Sequence, residues 1–147
     1  MQAKPAALKV LDLASIVLFA IATWMVFSYA PLERVMGAVQ RIFYFHVAAG
    51  WLGMLGFLYA AIVGGIYLRS GDLKWDTYSL AAVEIGMVFS FVNIVTGSIW
   101  ARPIWNTWWT WDPRLVTATI MELIYAAYLM LRQGIEDPTR RARFAAV

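Results

Sequence analysis

One histidine and a cluster of tryptophans hold most of the chemistry available to this 147-residue chain. His46 stands in Arg41-Ile42-Phe43-Tyr44-Phe45-His46-Val47, surrounded by aromatics, and five of the eight tryptophans fall between Trp100 and Trp111. An imidazole in such a setting is the usual iron ligand of haem proteins: neutral, donating through one nitrogen while an acceptor holds the other. Tryptophan pairs a large apolar face with a single N–H, so a cluster of them suits a flat, polarisable, hydrophobic ligand. One or two at a bilayer edge would need only interface anchoring as an explanation; five in twelve residues ask for more. Taken alone, His46 reads first as an interfacial histidine bonded to a carbonyl. The tryptophan run on the same side of the membrane turns the balance toward a ligand.

Charged residues around these two features have structural and functional readings side by side. Asp112-Pro113 is an N-cap followed by proline at the first helical position, so the carboxylate accepts an orphan N–H of the helix that follows and fixes where the tryptophans stop. Arg41, Arg102 and Arg114 are candidates to pair with ligand carboxylates such as haem propionates, against plain interface anchoring. Glu84 and Glu122 lie inside apolar stretches, where a carboxylate is costly unless it faces protein, and both are expected to do so, in hydrogen-bonded packing within the bundle or against another subunit, or in a proton relay. With no cysteine, the chain has no disulfide, thiolate metal site or covalent c-type haem attachment. It has no P-loop, dinucleotide fingerprint or nucleophile elbow, so any ATP-driven step needs a partner.

The elements that position these residues are membrane helices. The chain is 62% hydrophobic and 14% charged with a mean hydropathy of +0.65, the composition of an integral membrane protein. Four continuous apolar runs, about Leu11–Tyr29, Ile42–Leu68, Ser79–Trp100 and Leu115–Leu131, each suffice to span a bilayer. They predict an all-α polytopic bundle, a single membrane domain over 1–147, with a tryptophan-rich loop at about 101–114. The first run is too long for a signal-peptide core and reads as a retained span. Lys4, Lys9, Arg69, Lys74, Arg132, Arg140, Arg141 and Arg143 fall on one side, against Arg34, Arg41, Arg102 and Arg114 on the other. The positive-inside rule therefore puts both termini in the cytoplasm, with the tryptophan loop and His46 outside. The basic residues orient helices and do not point to nucleic acid. Gly56, Ala60 and Gly64 form a small-xxx-small packing stripe; Gly50 and Gly53, near His46, serve packing or leave room for a planar ring. The closing Arg140-Arg141-Ala142-Arg143-Phe144-Ala145-Ala146-Val147 looks like the entrance to a further span.

Trp105-Asn106-Thr107-Trp108-Trp109-Thr110-Trp111-Asp112-Pro113-Arg114-Leu115 resembles the "WWD" signature of the haem-handling proteins of cytochrome c biogenesis. Gly97-Ser98-Ile99-Trp100-Ala101-Arg102-Pro103 before it, and Gln40-Arg41-Ile42-Phe43-Tyr44-Phe45-His46-Val47 upstream, are most similar to the family of cytochrome c maturation protein C, also called haem exporter protein C. The resemblance covers most of the chain. It implies haem b carried as a bound substrate against Trp105, Trp108, Trp109, Trp111 and Asp112 at the periplasmic face of the inner membrane, with His46 an axial ligand of the iron. It implies transfer to the haem chaperone, cytochrome c maturation protein E, within an ABC-transporter complex with the A, B and D subunits, of which A supplies the ATPase. This chain would be no enzyme itself. Family members usually carry glycine where Asn106 stands and often a proline after the histidine, near Val47-Ala48 here. They normally have six spans and a second axial histidine beyond the fourth. Its lack here leaves a shortened or split sequence, a ligand from another polypeptide, or Met25 or Met36 as a softer substitute. The leading expectation is a haem-binding and haem-transfer membrane subunit; the alternative is a structural subunit that keeps the scaffold and no longer binds haem. A transporter using Glu84 and Glu122 is disfavoured because the spans show no inverted repeat.

Overall fold

A computed structural model describes residues 4–147; the opening Met1-Gln2-Ala3 lies outside the described residues. Within them the chain is helical: α1 (Ala6–Trp24), continued by a π-helical turn (Met25–Tyr29), then α2 (Gln40–Ser70), α3 (Leu73–Trp105), α4 (Pro113–Gln133) and a short α5 (Pro138–Ala145). The π turn closes with the Ala30 amide donating to the Met25 carbonyl at 2.7 Å. Four segments, of 24, 31, 33 and 21 residues, are long and apolar enough to cross a membrane. The protein is therefore an integral membrane protein with the four helices the apolar runs predict. α2 and α3 exceed the expected bounds: at 1.5 Å per residue, 33 residues reach about 50 Å, well beyond a hydrocarbon core of about 30 Å. Apolar content marks the part of a helix in lipid, whereas hydrogen bonding and caps set where it ends.

α2 and α3 form an antiparallel hairpin joined by the tightest of connections. Gly71 takes the left-handed conformation (φ 68°) that ends α2, its amide donating to the Tyr67 carbonyl at 2.8 Å. Asp72 then caps α3 by accepting from the Lys74 amide at 3.0 Å. Small residues let the two backbones touch. A Cβ on Gly56 would stand 3.0 Å from Gly86 Cα, and one on Gly53 3.1 Å from the Ser90 amide nitrogen. Ser79 Oγ donates across the seam to the Ala60 carbonyl at 3.2 Å. The packing reading of Gly56 and Ala60 holds, while Gly64 abuts Ala146, beyond α5, at 3.7 Å. Gly86→Leu is expected to wedge the hairpin open, at about 1–3 kcal/mol of overpacking cost. Thermal unfolding of the purified protein would show it as a lowered midpoint, with Ala81→Leu on the exposed face of α3 leaving the midpoint in place.

The core sits against this hairpin: Ala60, Ala82 and Val83 are buried, with Met87, Tyr125, Tyr128 and Leu129 packed on them. Tyr125 stacks on Phe57 with centroids 4.0 Å apart and planes 8° apart. At the end of the molecule carrying the termini, Arg132 Nη1 donates to Asp76 Oδ1 at 2.7 Å and Nη2 donates to Oδ2 of the same carboxylate. Both side chains are buried, so this two-pronged pair joins the base of α3 to the end of α4. α1 packs against no other helix among the described residues; only its π turn meets α2, through Phe27 against Phe45. Within this chain the two intramembrane carboxylates differ. Glu122 is half-buried, with Oε2 enclosed and without a hydrogen-bond partner, but Glu84 is exposed on the surface of α3. Being apolar all round gives a helix no stripe from which a buried face can be read, and α3 is such a helix.

Candidate functional site

His46 lies one and a half turns into α2 and packs on α3, where the imidazole rests on bare backbone. A Cβ on Gly97 would stand 2.8 Å from His46 Cε1 and 3.2 Å from Nδ1. Nδ1 lies 2.9 Å from the Asn93 carbonyl oxygen and 3.1 Å from Asn93 Nδ2, and Nδ2 donates to the His46 carbonyl at 2.7 Å. The hydroxyl of Thr96 is 3.4 Å from Nδ1 but donates at 2.6 Å to the Val92 carbonyl. The described contacts of the ring thus gather on Nδ1, and Nε2 is the nitrogen left for a ligand. Gly50 and Gly53 are resolved as packing residues: a Cβ on Gly50 would meet Asn93 Nδ2 at 2.8 Å, and Gly53 sits on the α3 backbone. They leave room for α3 and for the Asn93 amide, not for a planar ligand.

Beside His46 opens a cavity of about 470 Å³ between the upper parts of α3 and α4, roofed by the loop that joins them. That volume is typical of a small-molecule site. His46, Trp100, Trp105, Trp108 and Trp109 line it, together with Asp112 and Arg114 at the start of α4. An aromatic path runs from the imidazole through Phe43 to Trp100 (5.5 Å between rings) and on to Trp105, edge to face at 4.9 Å. A larger cavity, about 1040 Å³, lies at the opposite end beside α5; Arg140, Arg143 and Phe144 border it, and no histidine or tryptophan does. Chemistry therefore favours the smaller one.

The loop is held in place by its own polar side chains. α3 runs through Pro103 to Trp105, further than the apolar run indicated, because a proline so near the end costs few helical hydrogen bonds. Asn106 terminates it with φ 56°, the left-handed conformation that asparagine tolerates better than other residues with a Cβ. Asn106 thus makes a left-handed turn of the kind glycine adopts most readily. Ser98 Oγ donates to the Trp108 carbonyl at 2.7 Å, tying the loop back to α3, and Thr107 Oγ1 donates to the Trp109 carbonyl at 2.8 Å. Asp112 caps α4 as its spacing predicted, accepting from the amides of Arg114 (2.9 Å) and Leu115 (3.3 Å). The Thr110 hydroxyl, 2.7 Å away, and those same amides hold the Asp112 carboxyl below its usual value, so it is ionised at neutral pH. Capping by the carboxylate is lost only as pH falls through that lowered value.

Not every expected residue converges on the cavity. Arg114 borders it, its side chain mostly exposed and 3.5 Å from Asp112. Arg41 and Arg102 do not line it: Arg41 Nη2 donates to the Phe27 carbonyl at 3.1 Å with its guanidinium over the Phe27 ring, and Arg102 donates to Asn106 Oδ1. Trp111 stacks edge-on against Trp109 and is 76% exposed, outside the lining. Met25 and Met36 do not reach the cavity either.

The family model described as heme exporter protein C matches residues 1–147. The chain belongs to the haem exporter protein C family. Among its relatives, the heme exporter protein C of Bradyrhizobium diazoefficiens is 37% identical over 140 residues, 91% of this chain and 51% of that protein. The Escherichia coli K12 protein of the same name is 33% identical over 141 residues, 93% of this chain and 56% of the relative. A putative cytochrome c biosynthesis ccmC-like mitochondrial protein of Marchantia polymorpha is 33% identical over 120 residues, 82% and 53% of the two chains. The chain spans about half the length of the curated relatives it matches.

Asn93, which lines the cavity beside His46, is a residue that the sequence alone did not single out. A signal was present: an amide side chain in the middle of the apolar run Phe89–Val95 must find partners within the protein. Which partner it finds was not legible, because His46 is 47 residues away.

Proposed function

We propose that this chain binds haem b as a cargo and presents it for transfer in cytochrome c biogenesis. The observation that carries the reading is the juxtaposition, in one cavity, of an imidazole on α2, engaged through Nδ1, and four tryptophans, two on α3 and two on the loop. His46 would ligate iron through Nε2, while Trp105, Trp108 and Trp109 cover the macrocycle and Arg114, exposed at the mouth, pairs with a propionate. Asp112 acts through the cap, holding the loop at a fixed start of α4. Arg41, Arg102 and Trp111 support the loop and the α1–α2 corner, outside the cavity lining.

The names of the relatives support haem as the cargo, and the basic asymmetry of the chain supports a site on the periplasmic face of the inner membrane with the termini in the cytoplasm. On this reading the partners are the A, B and D subunits and the haem chaperone E, with ATP hydrolysis in the A subunit. Changing Trp108 and Trp109 together to alanine should weaken haemin binding by about 1 kcal/mol per ring, roughly fivefold each, and changing them to phenylalanine should weaken it less. Haemin titration followed by absorbance measures this. Equal binding by all three forms would leave the tryptophans as interface anchors and favour a structural subunit.

A further inference from the structure

His46 has one imidazole proton and two ways to place it. On Nδ1, the proton is donated to the Asn93 carbonyl at 2.9 Å, and Nε2 keeps the lone pair a metal needs. On Nε2, the proton blocks that nitrogen, and Nδ1 accepts from Asn93 Nδ2 at 3.1 Å. The surroundings decide between them. Asn93 Nδ2 makes its shorter bond, 2.7 Å, to the His46 carbonyl, and the Thr96 hydroxyl proton goes to Val92 at 2.6 Å. The Thr96 hydroxyl is thus committed elsewhere, and although the second N–H of the Asn93 amide also faces Nδ1, at 3.1 Å, the Asn93 carbonyl is the nearer partner, at 2.9 Å, and accepts from Nδ1–H.

We propose that Asn93 is a positioning residue that stitches α2 to α3 through the His46 carbonyl and thereby holds its own backbone carbonyl against His46 Nδ1, which selects the Nδ1–H tautomer and leaves Nε2 free to bind metal. Two glycines make the arrangement sterically possible. At Gly50 a Cβ would strike Asn93 Nδ2 at 2.8 Å, and at Gly97 it would strike the imidazole itself at 2.8 Å. The inference rests on the haem reading only for what Nε2 binds; the tautomer stands on the hydrogen bonds.

His46 is the only histidine, so ¹⁵N-histidine labelling of the full chain in detergent micelles gives one imidazole to observe. Wild-type protein is expected to show a protonated Nδ1 and an unprotonated Nε2. Asn93→Leu, which removes the stitch but leaves the backbone carbonyl, should let the ring drift from that carbonyl and change its nitrogen shifts, and Gly97→Ala should displace it. Both should weaken haemin binding about 10- to 100-fold, the usual cost of losing a group that orients a metal-binding histidine. Asn93→Ser, which retains a short donor, should recover part of the wild-type signature. A wild-type proton on Nε2, or an Asn93→Leu protein with unchanged nitrogen shifts, overturns the proposal. Wild-type protein with Nδ1 protonated but no affinity for haemin would uphold the tautomer and overturn the haem reading.

Discussion

Haemin added to the full chain in detergent is expected to give a Soret band that His46→Ala removes, with a loss of affinity above about 100-fold. That bound exceeds the cost of disturbing a ligand's supporting bond because the iron–imidazole bond itself is lost, and stacking on tryptophan cannot replace a directional bond. The wild-type spectrum should be that of five-coordinate, high-spin iron: His46 is the only histidine, and Met25 and Met36 lie outside the cavity lining. A histidine or other strong ligand supplied by another polypeptide should convert it to the six-coordinate form. Imidazole added to the alanine variant should restore part of the band, which separates a lost ligand from a damaged fold. An unaltered spectrum in His46→Ala would make His46 a packing residue and favour the structural-subunit alternative.

The second large effect is expected far from the cavity. Asp76→Leu leaves the buried guanidinium of Arg132 without its carboxylate, which costs about 3–5 kcal/mol when a buried pair loses one partner. Denaturant unfolding of the purified protein should register it as a much earlier transition, and Asp76→Asn, which keeps one acceptor for the guanidinium, should fall between. The double variant Asp76→Leu with Arg132→Met should recover most of the loss, since neither buried charge remains. If the single and double variants unfold alike, the pair is solvated in the native protein and contributes little.

The four spanning helices were legible because a membrane demands long apolar runs and tolerates nothing else, and the Asp112 cap was legible because it is a local pattern. His46 and the tryptophans stood out by rarity and crowding. What sequence could not supply was the partner of each polar residue. Arg132 counted only as a charge on one side of the membrane until the fold brought it to Asp76, 56 residues away. Arg41 and Arg102 were credible as carboxylate binders because they flank His46 and the tryptophans in sequence, yet neither lines the cavity: Arg41 bonds the Phe27 carbonyl and Arg102 bonds Asn106. Glu84 shows the same limit in reverse, since a helix apolar on every side does not disclose which side another helix covers.

The packing of α4 makes its upper part a lever. The helix is fastened to the hairpin from Tyr125 to Arg132, while its start at Arg114 borders the cavity. From Tyr125 back to Arg114 is 11 residues, about 16 Å of helix, so a swing of about 10° at the fastened part moves the start of α4 by roughly 3 Å. A shift of that size is comparable to a ring's thickness, and the irregular segment from Asn106 to Asp112 bridges α3 and α4 and sets its limit. A tilt of α4 is therefore felt most at the tryptophan loop it carries, whereas α3, held to α2 along its length, keeps the floor of the cavity in place.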